Sequence, residues 1–217
     1  MNVFVSGGTG YMGSRLISLL VARGHQVRAL ARPASQHKLP RGCTPVPGDA
    51  LDAESYAAQV PPAEAFVHLV GVAHPSPAKA REFRTVDLAS ARAAVAAARS
   101  AGVSHFIYVS VAHPAPVMKA YIAARLEGEA LVRSSGLNAT ILRPWYVLGP
   151  GHRWPLALAP LYWLAERFPH TRESARRLGL VAINQMIATL VWAVENPSTG
   201  LHIMEVPAIK AATIQCA

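Results

Sequence analysis

The stretch SGGTGYMG, Ser6-Gly7-Gly8-Thr9-Gly10-Tyr11-Met12-Gly13, decides the fold. It follows the β-rich start MNVFV and holds four glycines in eight residues. Glycine reaches positive φ and carries no Cβ. It therefore permits a tight strand-to-helix turn and lets the backbone come close to a pyrophosphate. A helix opening near Gly10 aims its free N–H groups and the positive end of its dipole at phosphate oxygens. The G-x-x-G-x-x-G spacing is a weak signal alone. Its setting, after a strand and before a helix at the head of a series of βα units, is what a dinucleotide-binding turn requires.

Beyond the turn, apolar residues at helical spacing (Tyr11, Leu16, Leu19, Leu20) predict a helix over Tyr11–Ala22, closed by Gly24. Residues 25–31 alternate like a strand. Val46, between two prolines, leads into Gly48-Asp49, and a short helix follows with Asp52 as its N-cap. Residues 65–70 form an apolar strand, 79–100 a long Ala- and Arg-rich helix, 104–110 a strand, 117–135 a helix and 138–142 a strand. Alternating strands and helices predict an α/β fold: a doubly wound parallel sheet with helices on both faces and right-handed crossovers. After Pro144 the pattern changes. Residues 145–170 carry Trp145, Trp154 and Trp163 with several prolines. A strand-like LGLV, an apolar helix from Ile183 to Glu195 and a strand LHIMEV follow. The expected organisation is a dinucleotide-binding core over 1–143 and a small substrate-side lobe over 144–217, with a final strand returning to the sheet. Together they make one compact unit.

The chain has 217 residues, 52% hydrophobic, enough to bury a sizeable core. Its formal charge is +9, and no acid precedes Asp49, whereas Arg15, Arg23, Arg28, Arg32, Lys38 and Arg41 all do. The basic residues are spread out, without zinc-finger spacing or an RNA-binding aromatic signature, so no nucleic-acid partner is expected. Two distant cysteines, Cys43 and Cys216, give no disulfide framework, and the histidines give no metal-ligand spacing. No metal site, signal peptide or transmembrane segment is expected, and the location read from this is cytoplasmic. The apolar stretch at 154–168, flanked by arginines, leaves three readings open: lining for an apolar ligand, a packed core or dimer contact, or peripheral contact with a membrane. Monomer and homodimer both remain open.

An acid at the end of the second strand usually takes the adenosine ribose of NAD. Here that strand reads HQVRALARP and has none; Arg32 stands at its end. A guanidinium there suits a 2′-phosphate, so NADP is the expected cofactor, with NAD the alternative.

With these motifs in place, the chain resembles the short-chain dehydrogenase/reductase superfamily, in its extended and atypical branches of epimerase/dehydratase-like and NmrA-like NAD(P)H-binding proteins. The carriers are SGGTGYMG, Gly48-Asp49, FVHLVGVA (66–73), Thr85-Val86-Asp87, HFIYVSV (105–111), AYIAARLEGEALVRSSGL (120–137) and TILRPWYVLGPG (140–151). The resemblance implies that the turn residues Gly7, Gly10, Tyr11, Met12 and Gly13 meet the cofactor. It implies Asp49 near the adenine and Val70, Gly71 and Val72 near ribose and phosphates. It also implies that Pro144 and Trp145 border the nicotinamide.

Active relatives use a Ser and a Tyr-x-x-x-Lys pair, whose i, i+4 spacing sets both on one helix face. This chain has Tyr121-Ile-Ala-Ala-Arg125. Arg stays charged and still lowers the Tyr pKa or donates to ribose hydroxyls, but it does not release a proton to a relay. Tyr121, Arg125 and Ser110 are therefore the candidate catalytic residues, with His113 a looser candidate acid. An ion pair with Glu129, one turn on, is the competing role for Arg125. Two functions follow: an oxidoreductase acting on a small apolar carbonyl or quinone, or a non-catalytic NAD(P)H-binding sensor or assembly protein. A nucleotide-sugar epimerase is a weaker third, since those enzymes have a larger C-terminal domain.

Overall fold

The computed structural model describes residues 1–151 and 167–212. Trp154, Trp163 and Cys216, and with them most of the Trp- and Pro-rich stretch, lie outside the described residues.

Strand β1 (Asn2–Ser6) runs into the glycine turn and helix α1 (Tyr11–Ala22). Then come β2 (Gln26–Ala31), β3 (Thr44–Pro47) and β4 (Ala65–His68). No α-helix links β2 to β3 or β3 to β4. Short 3-10 turns, Pro33–Lys38, Ala53–Ser55 and Ala57–Gln59, serve instead. Asp52 caps the second of these by accepting from Glu54 N. The long helix predicted at 79–100 begins at Ala80 and is interrupted by a π-helical segment, Phe83–Leu88, before α2 (Ala89–Ser100). Strand β5 (His105–Val109), α3 (Lys119–Ser134) and β6 (Ala139–Arg143) follow. The C-terminal part holds β7 (Tyr146–Leu148), α4 (Pro169–Arg177), β8 (Leu180–Ala182), α5 (Ile183–Glu195), β9 (Leu201–Glu205) and α6 (Val206–Ala211).

Seven strands make one parallel sheet in the order β3-β2-β1-β4-β5-β6-β9; β7 and β8 pair in a small second sheet. The period of two along each strand splits the core into two layers. Val3 and Val5 face α1 and α5, packing with Leu16, Ile17, Leu20 and Leu190. Phe4 faces the other way, with Phe66, Phe106 and Tyr108. Register places Phe4 beside Phe66 and Phe66 beside Phe106, so their rings form a ladder with centroids 4.9 and 5.4 Å apart. Bulky rings on the sheet explain the alanines opposite: Ala91, Ala94 and Ala98 of α2 let the helix sit close over them. Burying such aromatic and branched side chains contributes about 1.5–3 kcal/mol each before entropy is counted.

The order places β1 between β2 and β4. The chain runs outward to β3 and then returns across β1, so the connections diverge there. Crevices at such switch points, beyond the carboxyl ends of the strands, hold ligands in open α/β sheets.

Candidate cofactor and active site

A cavity of about 430 Å3 opens at this switch point. Gly7, Gly10, Arg32, Asp49, Val70 and Gly71 line it, with Val86 from the π segment. Gly7 sits at φ +83°, and a Cβ there would lie 2.8 Å from the Leu69 carbonyl carbon, so the close crossing of the β1 and β4 ends depends on glycine. Gly10 is the N-cap of α1. It brings no side-chain cap, and the first turn has no acid. The leading N–H groups of α1 thus meet no competing carboxylate of their own helix, which fits an anionic diphosphate.

The remaining turn residues have packing surroundings. A Cβ on Gly13 would collide with the Gly7 carbonyl oxygen. Met12 packs on the core, and the Tyr11 ring lies under the Arg15 guanidinium at 4.1 Å. Arg15 also donates to Tyr11 O, and Arg28 to Pro61 O, whereas Arg32 is exposed on the cavity rim. Asp49 Oδ1 accepts from Leu51 N and fixes its own turn. Pro144 is buried, its carbonyl accepting from Ala112 N, and Trp145 packs against the core.

Ser110, Tyr121 and Arg125 do not line the cavity. Tyr121 is half-buried on α3, tilted against Phe83 at 5.0 Å, with the Arg125 guanidinium 5.3 Å from its ring centre. Ser110 is 3% exposed at the end of β5. Its hydroxyl favours ionised Glu129 without making a hydrogen bond of good geometry. The Arg125–Glu129 pair, the competing role for Arg125, does not form. Arg125 turns inward, Nη2 lying 2.7 Å from Asp87 Oδ1 and Nη1 donating to Val109 O at 3.0 Å. Glu129 instead takes Arg143 as a bidentate partner at 2.9 and 2.5 Å, and Arg143 also reaches Glu205. Burial works to raise Glu129, but the Arg143 hydrogen bonds, with the Ser110 hydroxyl nearby, hold it below the usual carboxylate range.

Residues that the sequence reading gave no role stand behind the cavity wall. Asp87 is fully buried. Burial pushes its carboxyl up, while Arg125 and the Val72 N–H, 3.0 Å from Oδ2, pull it back. Burial also works against the Arg125 charge, yet Tyr121, Tyr108 and Asp87 hold it above the ordinary arginine value. His68, fully buried, contacts Ser6 Oγ at 2.8 Å and Ser90 Oγ at 3.4 Å; burial and then the Arg125 charge push it down to about 3. The polar Asp87 inside an otherwise apolar helix face was the one visible signal. Among the described residues no His, Cys, Asp and Glu cluster could hold a metal ion, and no helix is long and apolar enough to cross a membrane.

A parallel sheet with a glycine-lined, uncapped helix end at its switch point defines a nicotinamide-dinucleotide-binding protein of the Rossmann type. Comparison with known proteins agrees: residues 7–152 match the family described as NAD(P)H-binding. The chain belongs to that family. It is 31% identical over 206 residues to a ceramide reductase of Caulobacter vibrioides, covering 92% of this chain and 62% of the relative. It is also 31% identical to a 3-diazoavenalumate denitrifying reductase of a Streptomyces species, over 94% of this chain and 76% of the relative. The chain thus spans under two thirds of the first relative's length. Its fold is similar to that of the WbmH enzyme of Bordetella bronchiseptica in complex with NAD+ (TM-score 0.70, 20% identity, 94% of this chain and 75% of that one). It is similar also to Thermus thermophilus UDP-glucose 4-epimerase with NAD (TM-score 0.69, 18% identity, 97% and 81%).

Proposed function

We propose that the chain is an NADP-dependent oxidoreductase that reduces the carbonyl of a small, mostly apolar molecule. The observation that carries the reading is the glycine-lined cavity with Arg32 at its rim. Two relatives named as reductases support a reductive reaction. A reduced nicotinamide supplies hydride when bound. Gly7 and Gly10 admit the diphosphate, Asp49 faces the adenosine end, and Arg32 takes a 2′-phosphate by charge-assisted hydrogen bonds. Ser110 orients the substrate oxygen, and the Tyr121 hydroxyl gives it a proton, as a general acid held near a fixed cation. Arg125 supplies that cation.

The test is calorimetric titration with NADPH and NADH, followed by a carbonyl and quinone panel read as NADPH oxidation. NADPH is expected to bind about tenfold or more tightly than NADH, with Arg32→Ala removing the difference. Tyr121→Phe should cut turnover at least about a hundredfold while leaving NADPH affinity near wild type. Undiminished turnover in that variant takes Tyr121 out of the mechanism.

One observation favours a second reading. Arg125 is committed to Asp87 and Val109 within the protein, as in a protein that holds NAD(P)H without transforming a substrate. In that case NADPH binds and no member of the panel oxidises it.

A further inference from the structure

A single buried polar chain joins both walls of the cavity to the helix that carries Tyr121. It begins at Ser6, directly before Gly7. Ser6 Oγ meets His68 Nδ1 at 2.8 Å, and His68 Nε2 meets Ser90 Oγ at 3.4 Å. Ser90 donates its own hydrogen to the Asp87 carbonyl at 3.1 Å. Its oxygen is therefore the acceptor toward His68, which fixes the imidazole as the Nε2–H tautomer and leaves Nδ1 to accept from Ser6. The Asp87 carboxylate then divides: Oδ2 takes the Val72 N–H and Oδ1 faces Arg125 Nη2. Arg125 Nη1 closes the chain on the Val109 carbonyl, at the end of β5.

The cavity wall is built onto this chain. Gly71 lines the cavity, and a Cβ on it would collide with Arg125 Nη2 and lie 3.1 Å from Asp87 Oδ1. The Gly71–Val72 peptide thus rests directly on the Asp87–Arg125 pair. The Arg125 side chain is only 7% exposed, and its Nη2 end lies against Gly71.

We propose that Arg125 is a positioning residue. With Asp87 it sets the height of the Gly71–Val72 wall, and it acts on the cofactor through that wall, not by holding the ribose. The inference rests on the cofactor reading given above for its functional consequence. Its structural part, the coupling of Gly71 to Arg125, stands independently. A lysine at this position cannot repeat the arrangement. Its single ammonium cannot supply the planar fork that reaches Asp87 and the Val109 carbonyl together.

The experiment is a double-mutant cycle on Gly71→Ala and Arg125→Lys. It is read twice, as urea unfolding of the unliganded chain and as NADPH affinity by calorimetry. Arg125→Lys is expected to weaken NADPH about tenfold although it supplies the residue that active relatives carry there. Gly71→Ala should weaken it at least as much in the wild-type background. In the Arg125→Lys background, where the colliding atom is gone, Gly71→Ala should cost no more than about threefold. The same non-additivity should appear in the urea midpoints. Additive effects in both readouts, or an Arg125→Lys protein that binds NADPH as well as wild type, overturn the proposal. If the wild-type chain binds no pyridine nucleotide, the cofactor reading fails, and the urea cycle still decides whether Arg125 props the wall.

Discussion

His68 lies where an ordinary imidazole would hold a proton for part of the accessible pH range, yet the fold keeps it neutral. Its ordinary value is 6.5, and burial takes it to about 3. Between those values the unfolded chain binds a proton that the folded one refuses, so unfolding gains as pH drops through 6.5 toward 3. The slope from this one group approaches about 1.4 kcal/mol per pH unit below 6. His105, buried and pushed down to about 4, adds in the same direction. Urea unfolding at about pH 7.5 and about pH 5.5 should show wild-type stability falling, and a His68→Asn protein falling less steeply. An identical slope in the two proteins would remove His68 as a source. This burial was not legible, because a lone histidine inside an apolar strand does not say which groups of other elements will enclose it. The glycines of the turn, by contrast, were legible. Part of their requirement is local: a Cβ on Gly13 would strike the Gly7 carbonyl oxygen, and both residues lie within SGGTGYMG.

At the scale of elements, α1 and α5 have the limits that their apolar spacing predicts, Tyr11–Ala22 and Ile183–Glu195. Each packs one stripe on the sheet, and a stripe is what periodicity records. The π segment Phe83–Leu88 left no such trace. It carries Asp87 inward to Val72, in the loop after β4, and to Arg125 of α3, and no local propensity encodes a partner so distant in sequence; such segments cluster at functional sites. The same distance hid the choice made on α3, where Arg125 and Glu129 stand one turn apart and yet each takes its partner from another element. Glu129 is 2% exposed and held by Arg143. Arg143→Met strands that carboxylate and should cost about 3 kcal/mol or more in urea unfolding. Arg133 is 45% exposed and 3.6 Å from Glu129, so Arg133→Met should cost less than about 1 kcal/mol. Equal costs would mean that burial is not what gives the Arg143 contact its weight.

For the whole molecule, the alternation of strands and helices foretold a parallel sheet, and β9 joins it beside β6 in parallel register. The strand order, and hence the switch point between β1 and β4, needed the assembled sheet. Because the cavity is a property of the folded chain alone, its ligand should stabilise the whole by mass action. NADPH at about a hundred times its dissociation constant is expected to add about 2.7 kcal/mol to unfolding, visible as a raised melting midpoint. NADPH that leaves the midpoint where it was would argue against binding at the folded crevice.

The short strand β3 forms one border of the main sheet, and its sequence is Thr44-Pro45-Val46-Pro47. Gly48 N points back at Ala31 O of β2, and backbone groups alternate in direction along a strand, so the nitrogens of Pro45 and Pro47 point outward. Those are the positions from which a border strand would offer donors to an incoming chain, and proline has none. Growth of the sheet by stray strand addition is therefore blocked on that flank. The two prolines beside Val46 protect the molecule from sticking to its own copies.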